Sequence, residues 1–289
     1  MKEKQLRQLI LGAIAIVIGI LLILILNSIR GKQQNSFRDT LSFKFDSVNS
    51  VEMISGQSDL LFEQKNGVWS VNTLVADPSR IQAIVNNLFD SKIVAIISQN
   101  VNNYPLFNLD DVNAKHLIIK STTGGNSEIF LGKASVTSGM YARFPNDKNI
   151  YEINRDLTNF LATDVNYYRN KGILSLNPDN IKQFKINGAE FIKNGNDWTL
   201  NSNKLSNQKV TDYLKTLSNL TALSFASDDM AKSANFNDSD LKIEVTVDSP
   251  ISIELNNSSD TYYAKRDSTV YLISKDDYGS LNKKSEDFN

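Results

Sequence analysis

Hydrophobic and polar residues follow the same order of patterns twice along the chain. Apolar residues alternate with polar ones around Val51 and Met53, and again around Phe184 and Ile186. A two-residue period places alternate side chains on one face of a β-strand, so each stretch predicts a strand with one buried face. Both copies of the pattern therefore open with a half-buried strand.

A β-hairpin is predicted directly after each opening strand. The phrases KNGVWSV and NGNDWTL contain the two Trp residues of the chain, Trp69 and Trp198, each shortly after an Asn-Gly pair. Asn-Gly tolerates the positive φ angles of a two-residue turn, so Asn66-Gly67 and Asn194-Gly195 are predicted turn residues. The second phrase has one extra residue before its Trp, which predicts a bulge there. Each Trp is expected to be a buried core anchor on the returning strand.

An amphipathic helix is predicted after each hairpin. Asp77 stands at the N-cap position before Pro78 in the first copy, and Ser206 stands at the N-cap position in the second. The apolar stripes at i, i+3, i+4 and i+7 are Ile81, Ile84, Val85 and Leu88 in the first copy and Val210, Tyr213, Leu214 and Leu217 in the second. This spacing is typical of a helix with one buried face.

Short strands separated by turn residues follow each helix. The first copy reads HLIIK, EIFLGK, MYARF and NIYEI, and the second reads LKIEVTV, ISIEL, YYAK and TVYLI. The two Trp residues are 129 positions apart and the matches keep their order, which indicates an internal duplication. The predicted fold class is α+β, with an N-terminal transmembrane helix followed by two tandem, duplicated, mostly antiparallel sheet-plus-helix units.

A continuous apolar stretch near the N-terminus predicts a membrane anchor. Leu9 to Leu26 are 18 residues without a charged or strongly polar side chain, and as a helix they would span roughly 27 Å, close to the hydrocarbon thickness of a bilayer. A cleaved signal peptide is the alternative, but the following LNSIRG lacks a small-residue cleavage site. The predicted organisation is therefore a cytoplasmic stub, anchor and linker in 1–36, a first repeat in 37–167 and a second repeat in 168–289.

Charges flanking the anchor leave its orientation open by the positive-inside rule, because three basic residues lie on each side. They are Lys2, Lys4 and Arg7 before the stretch and Arg30, Lys32 and Arg38 after it. The short N-terminal tail is expected to stay in the cytoplasm. The bulk of the chain is then expected on the periplasmic, extracytoplasmic side of the inner membrane.

Composition narrows the classes of function. Residues 1–32 carry five Lys or Arg against one Glu, a net charge of +4, so the rest of the chain carries −5 of the total of −1. A mildly acidic body lacks the basic surface that nucleic-acid binding requires, so no nucleic-acid partner is expected. The chain has no Cys, which excludes a disulfide framework, a thiolate metal site and a Cys nucleophile.

Several phrases, taken in order, resemble the bacterial membrane-anchored family of domain of unknown function 4340. They are FDSVNSVEM, NGVWSV, DPSRIQAIVNNL, YPLFNLDDVNAKHLII, LGKASVTSGMYARF and YRNKGILSLNPDNI, and they lie in this order within residues 43–225. The family is often encoded beside ABC-type transport systems related to gliding-motility components, so the resemblance implies a membrane-protein partner such as an ABC-type permease or its auxiliary subunit. It has no established activity and implies no catalytic residue. Asn108 replaces the usual Gly before Leu-Asp-Asp, a change expected to affect a turn.

No catalytic, cofactor-binding or metal-ligating residue is predicted from the motifs. His116, the one histidine, precedes LIIK and is expected at a strand edge or on the surface. The acidic pairs Asp110-Asp111, Asp228-Asp229 and Asp276-Asp277 lack EF-hand spacing and are expected to be solvated loop carboxylates. Gly124-Gly125 lacks the spacing of a phosphate-binding loop. The phrase NYYRNKG, residues 166–172, is expected to pack at the joint between the two copies.

These observations favour a non-enzymatic, single-pass membrane protein that serves as an accessory or interaction component of an ABC-type transport or envelope system. One alternative is an extracytoplasmic solute- or peptide-binding module, expected to have an apolar pocket between the two copies. Another is an envelope hydrolase whose carboxylates meet only in the folded chain.

Overall fold

The computed structural model describes residues 47–56 and 58–289, which form two units. The first ends at Arg169 and the second runs from Asn170 to Asn289. The predicted anchor, Leu9 to Leu26, lies outside the described residues. Within the described part, no helix combines the length and apolarity needed to cross a membrane.

The first unit is built on a nine-stranded antiparallel sheet. Its strands are β1 Val48–Ser55, β2 Ser58–Lys65, β3 Val68–Val71, β4 Leu74–Val75, β5 Ile93–Ser98, β6 Lys115–Ser121, β7 Asn126–Ala134, β8 Met140–Arg143 and β9 Ile150–Ile153. Their spatial order is β4-β3-β2-β1-β6-β7-β8-β9-β5. The helices are α1 Pro78–Phe89 and α2 Val165–Tyr168, with 3₁₀ segments at Val101–Phe107 and Thr158–Phe160. Helix α1 connects the two opposite edges of the sheet.

The second unit repeats this order strand by strand. Its strands are β10 Gln183–Ile186, β11 Ala189–Asn194, β12 Asp197–Leu200, β13 Asn203–Lys204, β14 Ser224–Phe225, β15 Leu241–Thr246, β16 Pro250–Ser258, β17 Thr261–Arg266 and β18 Thr269–Ile273. Their spatial order is β13-β12-β11-β10-β15-β16-β17-β18-β14. The helices are α3 Asn207–Ser218, α4 Asp228–Ser233 and α5 Lys275–Leu281, with 3₁₀ segments at Pro178–Asn180, Phe236–Asp238 and Ser285–Phe288. The predicted duplication of a sheet-rich unit is confirmed.

Each long helix covers the inner face of its own sheet. All eight predicted stripe residues of α1 and α3 are buried and belong to the core of their unit. The Asp77 carboxylate accepts a hydrogen bond from the Ser79 backbone N–H at 2.9 Å, so the predicted N-cap is present. Ser206 caps α3 through the backbone N–H of Lys209. Capping groups and apolar spacing therefore predicted both helices correctly.

The two Trp residues occupy matching positions in the two cores. Trp69 is 9% exposed and Trp198 is 3% exposed. Trp69 pairs with Gln64 across the first hairpin and Trp198 pairs with Lys193 across the second. Each Trp is thus the second residue of its returning strand, and the prediction that both are core anchors is confirmed.

The bulge predicted before Trp198 is wrong. In the first hairpin Asn66 and Gly67 form the turn with φ of 52° and 81°. In the second, Asn194 is the last residue of β11 and pairs with Asp197, so the turn residues are Gly195 and Asn196. Only Gly195 of these has a positive φ, 61°, the sign pattern of a turn with Gly in its first central position. The turn has moved by one residue, which keeps Trp198 in register without a bulge.

A C-terminal aromatic residue closes each unit onto its helix. The carbonyl oxygen of Tyr168 accepts a hydrogen bond from the backbone N–H of Asp77 at 2.8 Å, and the carbonyl oxygen of Phe288 accepts one from Ser206 at 2.8 Å. The Tyr168 ring is fully buried and meets the edge of Phe62 at 4.7 Å. Tyr168, which the sequence assigned to the joint and to the start of the second repeat, therefore packs in the core of the first unit.

Candidate functional site

A connecting segment covers part of the outer face of the first sheet, opposite α1. This covering segment runs from the 3₁₀ turns at Val101–Phe107 to the start of β6. Asn108 ends these turns with φ 55° and ψ 39°, the left-handed conformation that Gly adopts without strain. A Cβ atom on Gly132 of β7 would collide with the carbonyl oxygen of Phe107. Gly132 therefore lets this backbone lie directly on the sheet.

Arg143 on β8 fastens the segment to the sheet. It is 8% exposed, its Nε donates a hydrogen bond to the carbonyl oxygen of Leu109 at 2.7 Å, and an Nη donates to Asp111 at 2.6 Å. The guanidinium carbon lies 3.5 Å from the ring centroid of Phe130 and 4.8 Å from that of Tyr104. A planar cation between two aromatic faces is a favourable arrangement, and here it is also charge-paired.

His116 extends this stack by one ring. Its imidazole lies 4.0 Å from the Phe130 ring at an interplanar angle of 6°, and its Nε2 lies 3.2 Å from the Glu128 carboxylate. His116 is inside β6, which pairs with β1 on one side and β7 on the other. Of the two positions expected for it, the strand edge is wrong, because β6 lies within the sheet, whereas the side chain, 20% exposed, does lie partly at the surface.

A polar groove of about 480 Å³ lies beside the stack on the same face, formed by β1, β2 and the end of β6. Glu52, Asp59 and Glu63 line it together with Lys120. Lys120 lies 3.9 Å from Glu52 and Lys65 lies 3.0 Å from Glu63, so the three carboxylates exceed the two nearby cations by one charge. The carboxylates of such a shallow groove could bind a polar or cationic ligand.

The family can now be assigned. A family model described as "Domain of unknown function (DUF4340)" matches residues 69–242, more than half of the chain. The chain belongs to the DUF4340 family. No curated protein matches the chain, and no solved structure matches it. The DUF4340 match extends from the first core Trp to the start of β15, the middle strand of the second sheet, so it includes the Arg143 stack and its covering segment.

The acidic pairs of this DUF4340 chain have local structural partners. Asp110 accepts hydrogen bonds from the side chain of Asn113 and from the backbone N–H groups of Val112 and Asn113. These bonds, the side-chain bond foremost, hold the pKa of Asp110 below its usual value. Asp111 pairs with Arg143. Asp110 and Asp111 are therefore structural turn residues of the covering segment.

The other two acidic pairs were also expected in loops, and for them this expectation is wrong. Asp228 and Asp229 form the first turn of α4, and Asp276 and Asp277 form the first turn of α5. Negative side chains are favourable at a helix N-terminus because of the helix dipole. Gly124 takes φ 88° in the β6–β7 turn. Among the described residues, no group of His, Asp and Glu has the arrangement of a metal site.

The second unit has charged side chains at the strand positions of the stack, with one looser cation–aromatic contact, in which Lys265 Nζ lies 5.5 Å from the Phe236 ring centroid. His116, Phe130 and Arg143 lie side by side across β6, β7 and β8. The matching cross-strand trio of β15, β16 and β17 is Lys242, Glu254 and Lys265. At the place of Gly132 stands Asn256, whose amide donates to the carbonyl oxygens of Ala234 and Asn235. The stack is therefore specific to the first unit, and sequence motifs gave no sign of it because its members are far apart in the chain.

Proposed function

We propose that this protein is a non-enzymatic, single-pass membrane protein whose duplicated ectodomain faces the extracytoplasmic side. In this proposal it is an accessory or interaction component of an ABC-type transport or envelope system. The apolar stretch from Leu9 to Leu26 supports the anchor. The resemblance of the phrases quoted above supports a link to a membrane transporter.

The observation that carries an interaction role is the difference between the two outer faces. The cores of the two units match in strand order and in their anchoring aromatics, so the fold does not require the stack of His116, Phe130 and Arg143. The second unit satisfies the same strand positions with a ladder of charges. In this proposal the stack holds the segment after β5 in place, and the outer face that it shapes, which differs from that of the second unit, is the surface that a partner contacts.

The proposal of a non-enzymatic role rests on how the charged groups of this face are used. Arg143 is held by Asp111 and Leu109, and His116 stacks on Phe130 beside Glu128. These bonds hold the segment after β5 against the sheet. The face is thus arranged as a rigid platform, which suits recognition of another protein.

Site-specific photocrosslinking in the native membrane tests the interaction role. A benzophenone amino acid is placed at Leu61 or Ile118 on the outer face of the first sheet, in the full chain. The matched controls carry it at Glu190 and Glu244, which lie at the same register positions in the second sheet. We expect adducts with a membrane protein from the first pair and few from the second. Equal yields from both pairs, or no adduct, would contradict the proposal.

A reporter fused after Asn289 tests the membrane orientation separately. We expect activity from a reporter that works only outside the cytoplasm, as the proposed topology requires. A fusion active only in the cytoplasm would reverse the proposed topology while leaving the crosslinking result interpretable.

The polar groove favours a second candidate, a solute- or peptide-binding module. Its three carboxylates and one lysine suit a cationic ligand such as a polyamine or a basic peptide. Spermidine should then raise the melting temperature of the full chain, and the Glu52→Gln, Glu63→Gln double variant should lose this shift. An equal shift in both proteins would indicate non-specific binding and remove this candidate.

A further inference from the structure

The edges of the two sheets are not protected equally. In the described residues the sheets end in four edge strands, and three of these are two residues long: β4 Leu74–Val75, β13 Asn203–Lys204 and β14 Ser224–Phe225. The fourth, β5, is six residues long. An edge strand carries unpaired backbone N–H and C=O groups that can pair with another strand, and proteins commonly limit this by keeping edges short or charged. Three of the edges are short, whereas β5 is long and uncharged, and only the register shifts in its pairing with β9 disturb it.

The composition of β5 is suited to pairing with another strand. Its sequence IVAIIS has no charge, no Pro and no Gly, and β-branched residues favour extended backbone. Val94, Ile96 and Ile97 are 41%, 37% and 39% exposed. Within the described part of the chain β5 pairs with β9 and has no strand on its other side. An uncharged, partly exposed edge strand of this length is a pairing surface.

The flanking residues favour an antiparallel partner of the same sequence. Asp90 and Lys92 precede β5, whereas Gln99 and Asn100 follow it. In an antiparallel pair of identical strands, the charged end of one copy lies beside the uncharged end of the other. A parallel pair would instead place Lys92 beside Lys92, and like charges directly opposite are destabilising.

We propose that β5 is a self-association surface through which two copies of the chain pair their β5 strands antiparallel about a two-fold axis. A second copy supplies each property that the edge requires, namely an uncharged strand of equal length with its own free edge. Such a contact is self-complementary, as two-fold interfaces are. The proposal is independent of the transport role and of the membrane orientation proposed above.

The pairing with β9 indicates that the association is weak. Its register shifts between Ile93 and Ala95 and again between Ile96 and Ser98. Such irregularities twist an edge strand and shorten the stretch that a new partner can follow. The contact is therefore best detected by trapping it covalently.

Disulfide trapping is well suited to this chain because it contains no cysteine. Single Cys variants of the full chain are made at Val94, Ala95, Ile96 and Ile97 and are oxidised in membranes and after mild solubilisation. Only residues near the two-fold axis bring their Cα atoms within disulfide distance. We expect disulfide-linked dimers that peak at one or two neighbouring positions. The control is Val136→Cys, in an exposed turn where the side chain is 97% exposed.

A charge introduced into β5 gives the second readout. In the variant with the strongest crosslink, Ile97→Lys, or Ile96→Lys if Ile97 carries the Cys, should lower the dimer yield about fivefold or more, because a charged side chain within an edge strand disfavours pairing with a second strand. The matched control is Ile192→Lys, whose residue is also 39% exposed but lies on β11, inside the second sheet. It should leave the yield unchanged, and thermal melts confirm that both variants fold. Dimers that form equally at Val136, no dimer at any β5 position, or a yield insensitive to Ile97→Lys would each overturn the proposal.

Discussion

The inner faces of the two sheets match, whereas their outer faces differ. Phe62 pairs with β1 and Phe191 pairs with β10 in the same register, and Trp69 and Trp198 follow at matching hairpin positions. On the outer face, the cross-strand trio centred on Phe130 is aromatic and cationic, and the trio of β15 to β17 is a ladder of charges. The core aromatics that both units share are required by the fold, whereas the aromatic and cationic trio is found in the first unit alone.

Loss of a core Trp should have the largest effect and should be similar in both units. Trp69→Ala and Trp198→Ala should each destabilise their own unit by about 3–5 kcal/mol, the usual range for a large buried aromatic. Urea unfolding followed by circular dichroism measures this. Leu223→Ala, at a residue 60% exposed, is the control and should change stability little. A cost below about 1 kcal/mol at either Trp would mean that the rings are not core anchors.

Loss of Arg143 should distinguish the two units. Arg143→Ala removes a buried cation from between two rings and leaves the Leu109 carbonyl without its donor, so it should cost about 2–3 kcal/mol. Lys265→Ala, at the matching strand position of the second unit, removes only a looser contact with the Phe236 ring at 5.5 Å and should cost about 1 kcal/mol or less. Thermal melts measure the loss of stability in the two variants. Equal losses would show that the Arg143 stack stabilises its unit no more than an exposed row of charges does.

Gly132→Ala should loosen the covering segment. The added Cβ collides with the Phe107 backbone, so the segment must shift and we expect a loss of about 1–3 kcal/mol. Gly279→Ala is the matched control, because a Cβ there, within α5, meets no atom within 4 Å. It should instead stabilise the second unit by about 0.5–1 kcal/mol through helix propensity. Limited proteolysis within the segment reports the loosening directly, and unchanged cleavage in Gly132→Ala would contradict this contact.

The smallest expected effect is a pH dependence at Asp110. Its folded pKa is lowered below the ordinary value of 3.8, chiefly by the Asn113 side chain. A lowered folded pKa gives a stabilisation that is complete above the unfolded value and is lost as pH falls through the folded value. Asp110→Asn should therefore differ from the natural chain at pH 6 and converge with it well below pH 3.8. A constant difference across this range would show that the carboxylate charge is not involved.

The parts of the fold that obey a local period could be predicted from the sequence. The i, i+3, i+4, i+7 stripe and the caps at Asp77 and Ser206 located both helices, and alternation located the central strands. The Asn194-Gly195 dipeptide did not show that the second turn is shifted by one residue. The position of this turn is determined by strand pairing, in which Asn194 pairs with Asp197. The short helices α4 and α5 and the edge strand β5 were not predicted, since their stretches carry too few residues to show a period.

The candidate site could not be predicted because it is assembled from distant parts of the chain. Arg143 meets Asp111 across 32 positions and Leu109 across 34, and neither pair forms a motif. Two residues carried weak signals of this contact. Gly132 is a Gly within a strand, and Asn108 stands where the resemblance to the family leads one to expect Gly. Both turned out to mark the place where the covering segment lies on the sheet.

The most direct test replaces a residue on the outer face of the first sheet with the residue found at the matching position of the second sheet. Ile118 on β6 and Glu244 on β15 hold the same strand position in the two units. In a chain that carries the benzophenone amino acid at Leu61, Ile118→Glu should abolish the adduct with the membrane partner. Its cross-strand neighbours are Glu52 and Glu128, so the change should also lower the melting temperature somewhat, and thermal melts check that the chain still folds. The reverse change, Glu244→Ile, should leave the adduct intact. An adduct that survives Ile118→Glu at full yield would contradict the claim that the outer face of the first unit is where this protein binds its partner.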